Sequence, residues 1–327
     1  MIYKTWYDLS NKKESVTKGE SSMDQLIKKI IATKNPTVVG LDPKLDYVPD
    51  YIKEKIFERY GNTLKAAGKA LLKFNMGLID ELYDIVPAIK PQIAYYEMYG
   101  YEGIKAFTKT IEYAKEKGMY VIIDGKRNDI GTTMESYGIA HLGYTEVNGE
   151  KIPAFNGDCL TVIGYLGTDG ISPLLKICEE QEKGIFVLVK TSNPSSGELQ
   201  DKFIHKQHVY EVMGDMCESW GKDSIGEYGY SRVGAVVGAT YPEQLEELRK
   251  KLPHTFFLVP GYGAQGGGAD DVKYAFDENG LGAIVNSSRG IMCAYKNGNF
   301  TEKEFGKAAR LEALRMRDDI GNVIHNR

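Results

Sequence analysis

The chain has 327 residues, 42% hydrophobic and 26% charged, with a formal net charge of −4 and a pI near 5.9. That size holds one large domain or two small ones with a sizeable core, and the acidic balance supplies no basic face for nucleic acid, so a small-molecule partner is expected. Cys159, Cys178, Cys217 and Cys293 are scattered, without Cys-x-x-Cys spacing or a nearby zinc-like histidine set, so reduced thiols and no metal site are expected.

Residues 1–22 are polar and rich in Lys, Ser and Glu, and read as a disordered tail before a single domain over 23–327. From Met23 onward, Leu26, Ile27, Ile30 and Ile31 recur at helical spacing. No apolar run nears the ~20 residues of a bilayer span and no signal-peptide core opens the chain, so a cytoplasmic location without membrane contact is expected. Short apolar runs bounded by turn residues then predict eight strands, at 37–41, 85–89, 120–123, 160–163, 185–189, 233–237, 255–259 and 283–285.

Helix-length segments separate most of these strands: 60–83, 103–117, 172–181, 209–220, 242–251 and 270–279, with a weaker one at 132–141 and a closing helix at 302–317. Ser172-Pro173 reads as an N-cap with proline at N1, and Thr240-Tyr241-Pro242-Glu243 as a capping box. Strands that are almost uniformly apolar are covered on both faces, as in a parallel sheet. Eight such βα units imply an α/β fold of the closed (β/α)8 TIM-barrel type. An open doubly wound sheet is the alternative, but it usually carries a glycine-rich fingerprint after its first strand, where this chain has Gly40-Leu41-Asp42-Pro43-Lys44. Two connections exceed what a barrel needs. Residues 143–158, with Asn148-Gly149 as a hairpin signal, are expected to form an interface arm, and 193–209 a lid.

In such a barrel the site lies at the C-terminal ends of the strands. The residues there are Asp42 and Lys44, Lys90 and Gln92, Asp124, Lys126 and Asp129, Lys190 to Asn193, the run from Pro260 to Gly268, and Asn286 to Gly290. Segment 121–131 stands out because an apolar strand runs directly into charge: Asp124, Lys126, Arg127 and Asp129. Asp124 and Lys126 share strand parity and should face the same side. Ionisable groups crowded at a strand tip perturb one another's protonation, as at reaction centres. A structural salt-bridge network is the competing reading, since opposite charges ~4 Å apart attract by ~4 kcal/mol at an effective dielectric near 20. A neighbouring phosphate loop favours catalysis. Glycine-rich backbone after strand seven lets N–H groups converge on an anion, and Arg289 after strand eight offers a planar fork for phosphate oxygens. The histidines read as ordinary surface or core residues, and Tyr95, Tyr96 and Tyr99 as packing around the barrel or at a subunit contact.

These residues resemble the orotidine 5'-phosphate decarboxylase family, in its longer bacterial form, from about Pro36 to the C-terminal helix. The most specific element is Asp-x-Lys-x-x-Asp, here Asp124, Lys126 and Asp129. Gly40-Leu41-Asp42-Pro43, Lys90-Pro91-Gln92, Thr191-Ser192-Asn193-Pro194, the glycine loop from Pro260 through Gln265 and Gly266, and Ser288-Arg289-Gly290 support it. The resemblance implies cofactor-free decarboxylation of orotidine 5'-monophosphate to uridine 5'-monophosphate. Lys126 would protonate C6, Asp124 would lie against the departing carboxylate, and Lys90 and Asp129 would complete the alternating chain. It implies a homodimer with shared sites, in which Asp129, Ile130 and Thr133 reach in from the neighbour. Asp42 and Lys44 would face the ribose, Thr191 or Ser192 the pyrimidine edge, and Gln265 and Arg289 the phosphate, with Gln92, Pro260, Gly266 and Ser288 also lining the site. Tyr262, the extra Gly268 and the N-terminal tail depart from the family pattern.

Two other readings compete. One is a magnesium-dependent sugar-phosphate decarboxylase or aldolase on a related barrel, which holds its metal with a glutamate where this chain has Lys90. The other is a non-catalytic nucleotide-phosphate binder, against which the complete set Lys90, Asp124, Lys126 and Asp129 argues.

Overall fold

The computed structural model describes residues 21–263 and 267–325. Eight parallel strands close into a barrel: β1 (Thr37–Leu41), β2 (Ala88–Pro91), β3 (Tyr120–Arg127), β4 (Cys159–Val162), β5 (Gly184–Lys190), β6 (Val233–Val237), β7 (Phe257–Val259) and β8 (Ala283–Ser287). Each pairs in parallel with its sequence neighbours, and β8 returns to β1. Around them run α1 (Ser22–Thr33), α2 (Asp50–Tyr60), α3 (Leu64–Leu82), α4 (Gly100–Glu116), α5 (Gly131–His141), α6 (Thr168–Gln181), α7 (Val209–Gly221), α8 (Pro242–Lys251) and α9 (Phe305–His325). Among the described residues no helix is long and apolar enough to cross a membrane.

Both faces of the strands are buried, which explains their unbroken apolar runs. Val39, Ile89, Val121, Ile123, Leu160 and Val187 pack outward against the helices. Their alternates Val38, Ala88, Tyr120, Ile122, Cys159, Phe186, Leu258 and Ile284 fill the lumen, where Met23, Leu26, Ile27 and Ile30 of α1 join them and close the N-terminal end. Ser22, assigned to the tail from sequence, is buried and its Oγ lies 3.0 Å from the Asp158 carbonyl, to which it donates.

Several element boundaries differ from expectation for local reasons. Strand two starts at Ala88, because Ile85 and Val86 still bond back to Leu82 and Pro87 follows. The segment 60–83 is α3 alone, capped by Thr63 (Ala66 N to Oγ1 3.2 Å). Gly61, at φ 65°, separates it from α2, which the sequence reading omitted. α6 begins one turn before Ser172-Pro173, behind Gly167 at φ 70°, so Pro173 lies inside the helix. Thr240 makes no capping box; its hydroxyl donates to the Ser192 carbonyl at 3.2 Å. The helix expected at 270–279 ends after one turn (Ala269–Val272) and a 3-10 turn (Lys273–Ala275). Beyond it the Asp277 carboxylate accepts the Asn279 and Leu281 N–H groups and stabilises a turn instead.

The hairpin at 143–158 forms, pairing Thr145–Val147 with Glu150–Ile152. Asn148 and Gly149, at φ 52° and 85°, make its turn. The long 193–209 connection carries a 3-10 turn (Pro194–Glu198) and a second small hairpin (Phe203–Ile204 with Gln207–His208).

Candidate active site

The period-two alternation that fills the lumen with apolar side chains at the bottom carries polar ones at the top. Two residues beyond Ala88 comes Lys90; beyond Ile122, Asp124; beyond Cys159, Thr161; beyond Leu188, Lys190; beyond Ile284, Asn286. Lys90, Asp124, Thr161, Lys190 and Asn286 are all buried. The last turn of the lumen is therefore a polar layer over an apolar plug.

At its centre, the Asp124 carboxylate accepts from Lys90 Nζ on Oδ2 at 2.7 Å and from Lys126 Nζ on Oδ1 at 2.6 Å. Thr161 Oγ1 donates to the same Oδ1 at 2.8 Å. Burial alone would raise the Asp124 pKa, but the two ammonium groups hold it well below the ordinary carboxylate range. Burial likewise opposes the charge on Lys90, yet Asp124 and Asp42 together keep its pKa above the usual value. Asp124 and Lys90 thus form a charged pair in the folded chain, with Lys90 buried; the Lys126 side chain is 44% exposed.

A departure from regular strand geometry shapes this centre. β3 advances from Ile123 to Arg127 while β4 advances only from Leu160 to Val162, so two extra residues bulge from β3. Within the bulge Lys126 adopts φ 46°, a left-handed conformation that non-glycine residues rarely take. The shared facing of Asp124 and Lys126 expected from parity is observed, although a bulge rather than a regular strand produces it.

The remaining expected residues fall into three groups. Asp42 follows β1, and its Oδ1, like Asn286 Oδ1, is buried without a hydrogen-bond partner among the described residues. Exposed Lys44 lies over the rings of Tyr47 and Tyr95, 5.9 and 5.7 Å from their centroids. Gln92 bridges to Asp124 through backbone pairing, and its Oε1 accepts the Ala94 N–H.

After β5, Thr191 is bonded by Gln200 at both N and Oγ1 (2.9 and 2.7 Å) and to Asn193 Oδ1 (2.7 Å). Buried Lys190 is paired with Asp201 of the long connection at 2.6 Å. After β7 and β8, the Pro260 carbonyl accepts the Ala239 N–H, Ser288 Oγ accepts from Asn286 Nδ2 at 3.3 Å, and Arg289 is exposed at the start of a short helix. Gly40 leaves room for this corner, since a Cβ there would come within 1.9 Å of Ser288 Oγ. Gln265 and Gly266 lie outside the described residues. The loop flanking them is pinned by Gly263 N to Gly267 O at 2.8 Å. Tyr262, which departs from the family pattern, bonds Asp319 of α9 at 2.8 Å.

The third group stands apart. Asp129 Oδ1 accepts the Ile130 N–H at 2.8 Å, and among the described residues it makes no ion pair with Lys126; Ile130 and Thr133 are exposed. The sequence reading missed Thr161, which carries no formal charge, and named Asn286 only as part of the run after strand eight, with no role of its own. Extending each strand's inward parity by two residues finds both.

Residues 38–302 match the orotidine 5'-phosphate decarboxylase / HUMPS family. The chain is 42% identical over 301 residues to orotidine 5'-phosphate decarboxylase of Caldicellulosiruptor saccharolyticus, covering 92% of this chain and 98% of that one. Its fold superposes on Leishmania donovani OMP decarboxylase with a TM-score of 0.67 at 26% identity, covering 91% and 99% of the two chains. It also superposes on the longer Leishmania donovani UMP synthase (TM-score 0.72, 28% identity), covering 94% of this chain but 57% of that one. By the length and identity of these matches, the chain belongs to the orotidine 5'-phosphate decarboxylase / HUMPS family.

Proposed function

We propose that this protein decarboxylates orotidine 5'-monophosphate to uridine 5'-monophosphate, with Lys126 delivering the proton to C6. The observation that carries this reading is the Lys90–Asp124–Lys126 chain at the polar end of the lumen, one carboxylate between two ammonium groups at 2.7 and 2.6 Å with Lys126 partly open. Loss of carbon dioxide leaves a C6 carbanion with no conjugated electron sink, so its stabilisation must come from fixed charge. An ammonium aimed at C6 interacts more strongly with that carbanion than with the neutral ring carbon of the substrate, so the interaction lowers the barrier. Asp124 lies against the departing carboxylate, where repulsion is relieved as carbon dioxide leaves. No cofactor is needed for these steps.

The other roles are those the family resemblance implies. Asp42 and Lys44 face the ribose, and Gln92 lines the same side. Ser192 rather than Thr191 meets the pyrimidine edge, because Gln200 and Asn193 already engage the Thr191 hydroxyl. Pro260, Gln265, Gly266, Ser288 and Arg289 receive the phosphate. Binding energy from that remote group can supply the energy that closes loops and excludes water at the reacting centre. Asp129, Ile130 and Thr133 serve the neighbouring subunit of a homodimer, a reading supported by the absence of an Asp129–Lys126 ion pair within the described chain and by exposed Ile130, Tyr165 and Leu166. The dimer works in the cytoplasm.

The competing magnesium-dependent reading needs a glutamate where this chain has Lys90, and an ammonium 2.7 Å from Asp124 repels a divalent cation there. Incubating the purified protein with orotidine 5'-monophosphate in EDTA tests the reading. The expected result is a fall in pyrimidine absorbance with formation of uridine 5'-monophosphate, and an unchanged spectrum would overturn it.

A further inference from the structure

Thr161 of β4 is 1% exposed and stands against the reaction centre without belonging to its charged set. Its Oγ1 lies 3.0 Å from the Lys126 backbone nitrogen and 2.8 Å from Asp124 Oδ1. A backbone N–H can only donate and an ionised carboxylate can only accept, so the directions are fixed. The Lys126 N–H donates to the hydroxyl, and the hydroxyl donates to Asp124. Lys126 Nζ reaches the same Oδ1 at 2.6 Å, which closes a ring from the Lys126 backbone through Thr161 and Asp124 to the Lys126 ammonium.

The bulge makes this hydroxyl necessary. Between Ile123 and Arg127 the pairing of β3 with β4 shifts register, and Lys126 sits there at φ 46°. The Thr161 hydroxyl meets the Lys126 N–H within that interruption. It also supplies Asp124 with a third donor, leaving the carboxylate no freedom to rotate between its two lysines.

We propose that Thr161 is a positioning residue for the decarboxylation, fixing the Lys126 backbone and the Asp124 carboxylate in one geometry before substrate arrives. The inference rests on the decarboxylase reading above. Thr161 lies on β4, away from the glycine loop after β7 and from Ser288 and Arg289 after β8, so its loss should leave substrate binding intact. It should fall on the chemical step, where a shift of ~1 Å in a reacting group costs up to ~100-fold.

Thr161→Val keeps the shape and removes the hydroxyl; Thr161→Ser keeps the hydroxyl and removes the methyl. The expected result is a 10- to 100-fold lower kcat in Thr161→Val, with KM for orotidine 5'-monophosphate within threefold of wild type, and Thr161→Ser within threefold of wild type in both constants. Should Thr161→Val fail to fold, Thr161→Ala against Thr161→Ser makes the same comparison, since those two differ only by the hydroxyl. A kcat in the hydroxyl-free variant within threefold of its comparator, or a loss carried mainly by KM, overturns the inference while wild-type turnover stands. Absence of turnover in the wild type would instead sink the decarboxylase reading, and this inference with it.

Discussion

Asp124 and Asp158 each hold two lysines, at opposite ends of the adjoining strands β3 and β4. Asp124 pairs with Lys90 and Lys126 at the C-terminal end; Asp158, just before β4, pairs with Lys115 at 2.6 Å and Lys183 at 3.3 Å. The ion-pair distances are similar, yet the surroundings differ. Asp158 Oδ2 accepts the Val121 N–H of β3, and its lysines come from the end of α4 and the turn before β5, so it staples backbone elements together. Asp124 takes all three of its donors from side chains on strands of the lumen, and one of them, Lys126, remains partly open.

The lysines differ as well. Burial lowers the pKa of Lys183, because a single aspartate shared with Lys115 does not offset it, whereas Asp42 adds a second carboxylate near Lys90 and raises its pKa. An aspartate between two lysines is therefore no signature of catalysis by itself. What separates the two regions is placement at the polar end of the lumen, a second carboxylate, and an ammonium left partly open.

The largest expected contrast is in turnover. Lys126→Ala should reduce kcat by ~1000-fold or more, while uridine 5'-monophosphate still binds and the urea midpoint stays near wild type. Steady-state kinetics with product titration measure this, and turnover comparable to wild type would remove Lys126 as proton donor. Its companion concerns Asp129. Mixing inactive Lys126→Ala and Asp129→Ala dimers and allowing subunits to exchange should recover about one quarter of wild-type activity, because half the dimers become mixed and each has one intact site. No recovery despite demonstrated exchange would place Asp129 in its own subunit's site.

The opposite response is expected at the other aspartate. Asp158→Ala leaves Lys115 and Lys183 without their anion and the Val121 N–H without its acceptor. Removing one partner from such a buried set costs ~3 kcal/mol. The urea midpoint should fall accordingly, while kcat per folded protein stays within about twofold, a margin of ~0.4 kcal/mol. A large loss of kcat at full folding would erase the distinction between the two regions.

This contrast also explains what could be read from the amino acids. The barrel was legible because both strand faces are buried, which leaves eight apolar runs, and the charged tip of β3 was legible because Asp124 and Lys126 interrupt one of them. Asp158 also stands directly before an apolar run, but its partners Lys115 and Lys183 belong to other segments, and no local pattern joins them. Thr161 escaped notice because a hydroxyl at a strand position is chemically quiet until the bulge brings the Lys126 N–H to it. The early end of the segment 270–279 was hidden because apolar spacing records burial, whereas the Asp277 side chain decides where the backbone turns.

The smallest effect concerns His141, which links the two regions. Its Nε2 accepts from Arg127 Nε at the end of β3, and its carbonyl accepts the N–H of Gly157, the residue before Asp158. Burial and the Arg127 charge push its pKa down to about 3 from an ordinary 6.5. Between those values the unfolded chain binds a proton that the folded chain refuses, so stability is complete above pH 6.5 and falls as the pH drops toward 3. From pH 6.5 to 5.5 this one group should cost ~1 kcal/mol. In urea unfolding at those two pH values, His141→Gln, which keeps an acceptor for Arg127, should lose ~1 kcal/mol less than wild type over the same interval. An unchanged acid slope would move the sensitivity away from this link and onto the carboxylates of the two lysine-paired regions.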